Sequence, residues 1–307
     1  MKKILCIDGG GIKGIFAASF LAQIEEICNI KIHEYFDMVA GTSTGGIIAA
    51  ALAYGIPAKT ILDLYLQKGK QIFPDGKRWY LFKTKYETEP LKIELEKVFQ
   101  KGCIKDCKTR LIIPAYNLEC DRVRVFKTPH AEDLYFDREL TLVDCILATT
   151  AAPLYFKPHK MTGGVFVDGG VGANNPSLIA LVECISRCKW SVNDISMLSI
   201  GGISELGHNT GTERMGLLDA IKIQKCFMNA ESQYAHNICN ILLSNKQYFR
   251  INEEVQNNRF SLDNATEKSM ESLKNYGERQ AMNNMIQIKE QFLTEKIEKV
   301  KLYNIEG

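Results

Sequence analysis

Along the first two hundred positions, apolar residues fall into short runs closed by glycine. Lys3 to Ile7 is a brief apolar run halted by Gly9-Gly10-Gly11, as expected of a buried parallel strand that empties into a turn. A helical pattern follows over Ile15 to Ile27. Phe36 to Ala40 repeats the arrangement: a strand, the turn Gly41-Thr42-Ser43-Thr44-Gly45-Gly46, then a helix over Ile47 to Tyr54. Further strands are predicted at Arg110 to Tyr116, Val123 to Lys127, Val165 to Val167 and Ile195 to Ile200, with helical patterns between several of them. The tail from Lys268 to Lys301 is polar with apolar residues at helical spacing, which predicts a late helix packed on the outside. Strands alternating with helices predict an α/β fold with a central, mostly parallel sheet covered by helices on both faces. No repeat and no linker divides the chain, so 1–307 is expected to form one domain.

Composition narrows the class. Hydrophobic residues make up 46% and charged ones 24%, ordinary globular usage that excludes a disordered or collagenous chain. With 38 Lys/Arg against 36 Asp/Glu, no global field points to a nucleic-acid polymer. Ten cysteines in 307 residues are too dilute for a disulfide scaffold. The spacings Cys103/Cys107 and Cys184/Cys188 lack a nearby histidine, so no metal is expected and the thiols read as unpaired. Lys2-Lys3 is followed by only four apolar residues, short of a signal sequence, and no run approaches the ~18 residues of a membrane span. The expectation is a soluble, cytoplasmic protein.

Gly41-Thr42-Ser43-Thr44-Gly45 is a G-x-S-x-G with a strand before it and a helix after it, the context a nucleophilic serine requires. The glycines relieve crowding in a tight turn, and the helix aims its free N–H groups where negative charge develops. The competing reading is a glycine turn with Ser43 as an N-cap. Gly9 to Gly14 contains G-x-G-x-x-G, a dinucleotide fingerprint, but the acid due at the end of the second strand is missing, because Asp37 opens that strand. Three adjacent glycines suit an oxyanion hole better, with Lys13 adding charge or anchoring the loop. For a base there are two options. Asp168, at the end of an apolar strand in Phe166-Val167-Asp168-Gly169-Gly170, can act directly, or it can support His208 or His236 in a triad. An exposed Asp, with a pKa of ~3.9, is a poor base; burial would raise it.

Asp8-Gly9-Gly10-Gly11-Ile12-Lys13-Gly14, Gly41 to Gly46 and Asp168-Gly169-Gly170 together resemble the patatin-like phospholipase family. Leu111 to Tyr116, Ala148 to Phe156 and Ala173-Asn174-Asn175-Pro176 extend the likeness over about 3–202, leaving 203–307 as a C-terminal helical extension. The resemblance implies a patatin-like three-layer sandwich and lipid acyl hydrolysis by a Ser–Asp dyad without histidine, metal or cofactor. Ser43 is then the nucleophile and Asp168 the base. The amides of Gly9, Gly10, Gly11 and Ile12 become the oxyanion hole, supported by Lys13 and Gly14, and Gly41 and Gly45 frame the elbow. Many members carry arginine where Lys13 stands; a lysine lacks its planar fork, so no bidentate role carries over.

Two features bear on partners. Residues 57–110 hold 13 Lys/Arg against 7 Asp/Glu, and within 68–85 Lys68, Lys70, Lys77, Arg78, Lys83 and Lys85 alternate with Phe73, Trp79, Tyr80 and Phe82, with Tyr86 just beyond. This suits docking on an anionic phospholipid surface, or a loop whose aromatics cover the domain's own core. Leu147 to Phe156 reads as a wall for an acyl chain or as ordinary core. A phospholipase in its own cell needs control, and the chain resembles bacterial antiphage effectors switched on by cyclic di- or trinucleotides. The polar stretch 205–264, with nine asparagines plus Lys222, Lys225, Lys246 and Arg250, is the expected activator site. A homo-oligomer, peripheral at the inner membrane surface when active, completes this expectation. The alternatives are an unregulated soluble-ester hydrolase, a dinucleotide-binding protein and a non-catalytic binding module.

Overall fold

The computed structural model describes residues 1–74, 84–206, 220–244, 246–256 and 260–303. His208 and most of the basic, aromatic stretch (Lys77, Arg78, Trp79, Tyr80, Phe82 and Lys83) lie outside the described residues. Strand β1 (Lys2–Ile7) is buried from Lys3 onward because it is central: β2 (Met38–Gly41) pairs with one edge and β7 (Ile195–Leu206) with the other, both parallel. Beyond β2 lies β3 (Arg110–Asn117), and beyond β7 lies β8 (Tyr248–Gln256), again parallel. Three antiparallel strands complete the sheet: β4 (Arg122–Lys127), β5 (His159–Met161) and β6 (Gly164–Asp168). Strand β6 pairs with the far end of β3, which sets Asp168 opposite Ala115.

Side chains alternate across this sheet, as strand geometry requires. Leu5, Ile7, Val39, Leu111, Ile113, Leu198 and Ile200 face one core. It is closed by α1 (Gly14–Cys28), α2 (Thr44–Tyr54), α3 (Ala58–Ile72), α4 (Glu89–Phe99), α5 (Leu142–Thr150) and α8 (Glu267–Phe292). Ile4, Cys6, Met38, Ala40, Ile112 and Met197 face the other, closed by α6 (Ser177–Ser186) and α7 (Ala220–Leu242). These are the three layers expected from the strand–helix alternation. No helix among the described residues is long and apolar enough to cross a membrane.

The C-terminal third departs from expectation. The stretch beyond about 203 is not a purely helical extension, since β8 adds an edge strand to the sheet. Its sequence reads as polar because its charged side chains have partners elsewhere: Arg250 meets Asp8, and Glu253 meets Arg279. Helix α8 ends at Phe292 rather than near Lys301, and it is more than an outer cover. Leu273, Ala281, Ile288 and Phe292 are buried, and Gly277 lets α8 approach α1 closely. A Cβ on Gly277 would stand 2.1 Å from Ser19 Oγ and 2.3 Å from the Phe16 carbonyl oxygen. Alanine gains about 1 kcal/mol of helix preference over glycine, but backbone overlap of this size forces the helices apart and costs about 1–3 kcal/mol. Gly277→Ala should therefore lower the denaturant midpoint; an unchanged or raised midpoint would show that the contact is loose.

Candidate active site

Strand β2 ends in a turn whose shape is dictated by sterics. Ser43 sits at φ 54°, ψ −125°, a conformation that side-chain-bearing residues seldom adopt, and α2 starts at the next residue. A Cβ on Gly41 would fall 2.1 Å from the Gly45 carbonyl oxygen, and one on Gly45 would fall 2.3 Å from the Ile7 carbonyl oxygen. Hydrogen bonds hold the strained turn. The Ser43 amide donates to Thr149 Oγ1 at 2.9 Å, and that hydroxyl donates to the Pro114 carbonyl at 2.6 Å. Thr42 Oγ1 donates to the Ala173 carbonyl at 2.6 Å.

The Ser43 side chain does not cap α2. Its hydroxyl instead donates to Asp168 Oδ2 at 2.6 Å, and both residues are buried. Asp168 stands at the end of β6, where its Oδ1 accepts the Gly170 amide at 2.7 Å. Burial pushes the Asp168 pKa up to about 6, while the Ser43 and Gly170 donors hold it back. Of the four described histidines, none bonds to Ser43 or Asp168. His236 Nδ1 lies 3.2 Å from Tyr248 Oη, His130 joins Thr128 and Glu183, and His159 joins Asp144.

The glycine loop is only partly open. The Gly9 amide donates to the Asn174 carbonyl at 3.0 Å and the Ile12 amide to the Leu262 carbonyl at 2.8 Å. These two of the four expected oxyanion donors are therefore engaged. The Gly10 and Gly11 amides have no partner among the described residues, and both glycines line the cavity that holds Ser43 and Asp168. Lys13 turns away from that cavity to the Ile203 carbonyl, 3.1 Å from its Nζ, which fits anchorage of the loop. Gly14 packs against the Thr44 side chain. Beneath the loop, Arg250 Nη2 donates to Asp8 Oδ2 at 2.5 Å and its Nη1 to Ser199 Oγ at 2.6 Å. Arg250 is thus a buried structural cation, not the exposed phosphate ligand expected from the sequence.

The void over Ser43 is about 40 Å³, room for a few waters. Ile47, Tyr65, Phe73, Tyr155 and Phe156 form its apolar wall, and Gln224, Met228 and Leu262 lie over it. The stretch Leu147 to Phe156 thus divides: Thr150, Ala152, Tyr155 and Phe156 line the void, whereas Leu147 is core. The described flanks of the basic stretch turn inward or are paired. Phe73 and Tyr86 are buried against Phe156, Lys70 meets Glu267 at 2.6 Å, and Lys85 meets Asp263. Three buried polar atoms around the site, Thr44 Oγ1, Asn174 Oδ1 and Gln224 Oε1, have no partner among the described residues. Unmet hydrogen-bonding groups gathered in one place mark a site shaped for something other than its own fold. Helix α7 is latched to the Asp168 loop: Glu231 accepts the Asn175 amide at 2.9 Å and Ser232 Oγ accepts Asn174 Nδ2 at 2.9 Å. Burial pushes the Glu231 pKa up to about 7.

A buried carboxylate destabilises its own fold. The Asp168 pKa of about 6 exceeds the ~3.9 of an unfolded Asp, so its charging opposes folding by up to ~3 kcal/mol once pH rises above the folded value. Asp168→Asn should raise Tm by several degrees at pH 8, and the gain should shrink as pH falls through 6 and vanish near 4. A gain independent of pH would mean that Asp168 is not the titrating group.

The profile of the patatin-like phospholipase family matches residues 5–181, a span that contains both glycine-framed turns, Ser43 and Asp168. The chain is 39% identical over 224 residues to a cGAMP-activated phospholipase of Escherichia coli (strain TW11681), covering 66% of this chain and 62% of that protein. It is 36% identical over 229 residues to a cGAMP-activated phospholipase of Vibrio cholerae, covering 66% and 64%. A cGAMP-activated phospholipase of Pseudomonas aeruginosa is 33% identical over 267 residues, covering 82% and 78%. The chain thus spans less than two thirds of the length of the first two relatives. The match spans more than half of the chain, and the chain belongs to the patatin-like phospholipase family.

Proposed function

We propose that this protein is a phospholipid acyl hydrolase that works through a Ser43–Asp168 dyad and is switched on by a cyclic dinucleotide. The observation that carries the dyad is the buried 2.6 Å hydrogen bond from Ser43 Oγ to Asp168 Oδ2. In this reading Ser43 attacks the ester carbonyl while Asp168 takes its proton. The Gly10 and Gly11 amides, with the N-terminus of α2, hold the oxyanion. The proton passes to the departing alcohol, and Asp168 then draws one from the water that cleaves the acyl-enzyme.

Two observations support the switch. The names of the relatives specify cGAMP activation. The void over Ser43 is only about 40 Å³, and Gln224 and Met228 of α7 with Leu262 line it, so a shift of these elements would widen the way in for phospholipid. A ligand that favours the opened arrangement raises activity by shifting that equilibrium. The polar, partly exposed flank of β8 and α7 is not needed for this scheme.

The test is mass spectrometry of lipids released from a mixed phospholipid extract, with and without cGAMP. Release should require cGAMP, and Ser43→Ala and Asp168→Asn should each lower it at least ~10³-fold, the double variant being little worse because the pair acts as a unit. Below a pH of about 6 the rate should fall about tenfold per unit as Asp168 becomes protonated. Release that survives Ser43→Ala would overturn the dyad; release indifferent to cGAMP would overturn the switch alone.

A further inference from the structure

A second cavity opens at the opposite end of the sheet, where β3 begins and α6 ends. It is a cleft open to solvent with a volume of about 410 Å³, within the range of small-molecule sites and about ten times the void over Ser43. Its lining is cationic and aromatic: Arg110, Arg187, Lys189, Lys301 and Tyr303, against the carboxylates Glu132 and Asp133. Asp133 is bonded to Arg187. Lys189 and Lys301 have no ion pair among the described residues. His130 forms buried floor with both ring nitrogens engaged, by Thr128 and Glu183. The whole chain carries a net charge of only +2, so this gathering of cations is local.

Several details indicate a built site. The Arg110 guanidinium lies 5.0 Å from the Trp190 ring centroid and donates from Nη1 to the Asp37 carbonyl at 3.2 Å. That stacking leaves its Nε buried and without a partner. Lys189 is held at φ 58°, a costly conformation for lysine. Lys301 Nζ sits 5.3 Å from the Tyr303 ring centroid, and the Tyr303 amide is fixed to the Pro129 carbonyl at 2.6 Å. Guanidinium and ammonium groups bind phosphodiester oxygens, and an aromatic ring gives a purine a face to stack on.

We infer that this cavity is the binding site for the cyclic dinucleotide, with Arg110, Lys189 and Lys301 on its phosphodiesters and Tyr303 against a base. The inference rests on the activation proposed above and assigns its location. The position also supplies a mechanical link. Strand β3 runs from Arg110 to Pro114, whose carbonyl holds Thr149 under Ser43, and to Ala115, which pairs with Asp168. Helix α6 begins just after Asn174-Asn175-Pro176 and ends at the Arg187 to Lys189 rim. A ligand bridging these two far ends acts on the elements whose near ends hold the Ser43–Asp168 pair and the α7 latch.

The test is calorimetric titration of the full chain with cGAMP, in parallel with cGAMP-stimulated phospholipid release from vesicles of phosphatidylethanolamine and phosphatidylglycerol. The variants are Lys189→Glu/Lys301→Glu, both exposed and remote from Ser43, and Tyr303→Ala. The charge reversal should weaken cGAMP binding roughly tenfold or more and move the activation curve by the same factor, with maximal release at saturating cGAMP unchanged. Tyr303→Ala should weaken binding without altering its dependence on salt. Wild-type affinity in both variants, with activation intact, would overturn this location and leave the activation reading standing. Binding that the variants abolish, with release never responding to cGAMP, would support the site and overturn the activation reading. Absence of cGAMP binding to the unaltered protein would overturn both.

Discussion

The hydrogen bond between Ser43 and Asp168 joins residues 125 positions apart, and much of the architecture serves to make it short and dry. The serine end is set by a turn that only glycine at 41 and 45 permits, wedged beneath the Ile7 carbonyl at the end of β1. The aspartate end is set by register, since β6 pairs with β3 so that Asp168 lies opposite Ala115. Thr149 ties the two together by bridging the Ser43 amide and the Pro114 carbonyl. A slip of one residue in the β3–β6 pairing would turn the carboxylate to the other face of the sheet.

Dryness has two consequences that pull in opposite directions. Removing water from Asp168 raises its pKa to about 6, closer to the neutral range in which the proposed dyad would take a proton. The same enclosure leaves a void of only about 40 Å³ and leaves the polar atoms of Thr44, Asn174 and Gln224 without partners among the described residues. Gln224 and Met228 of α7 and Leu262 line this enclosed space. In the proposed reading, this closed arrangement is poised and the opened one productive. Elements that run from one end of the sheet to the other then become the natural carriers of a signal.

The parts legible in the sequence were those with strong local signatures. Gly9 to Gly14 and Gly41 to Gly46 each sit between an apolar strand and a helix, and Asp168 ends an apolar run, so elements and candidate residues followed without tertiary information. What the sequence hid is what depends on distant contacts. Nothing local separates the Gly9 and Ile12 amides from those of Gly10 and Gly11; the difference is made by the Asn174 and Leu262 carbonyls, far along the chain. Arg250 reads as one more polar residue of a polar stretch because its partner, Asp8, lies 242 positions away, and the strand that carries it reads as polar for the same reason. Tyr303 and Lys189 meet at one cavity only because the chain's last segment folds back to Pro129.

The most direct measurement of the central claim is intact-protein mass spectrometry in the first turnovers after mixing with phospholipid and cGAMP, followed by peptide mapping. An acyl-enzyme mechanism predicts a transient mass increase equal to one fatty acyl group, confined to the peptide that contains Ser43, absent from Asp168→Asn and decaying as free fatty acid appears. Fatty acid release with no acylated protein, or an acyl group mapped to another residue, would contradict the account.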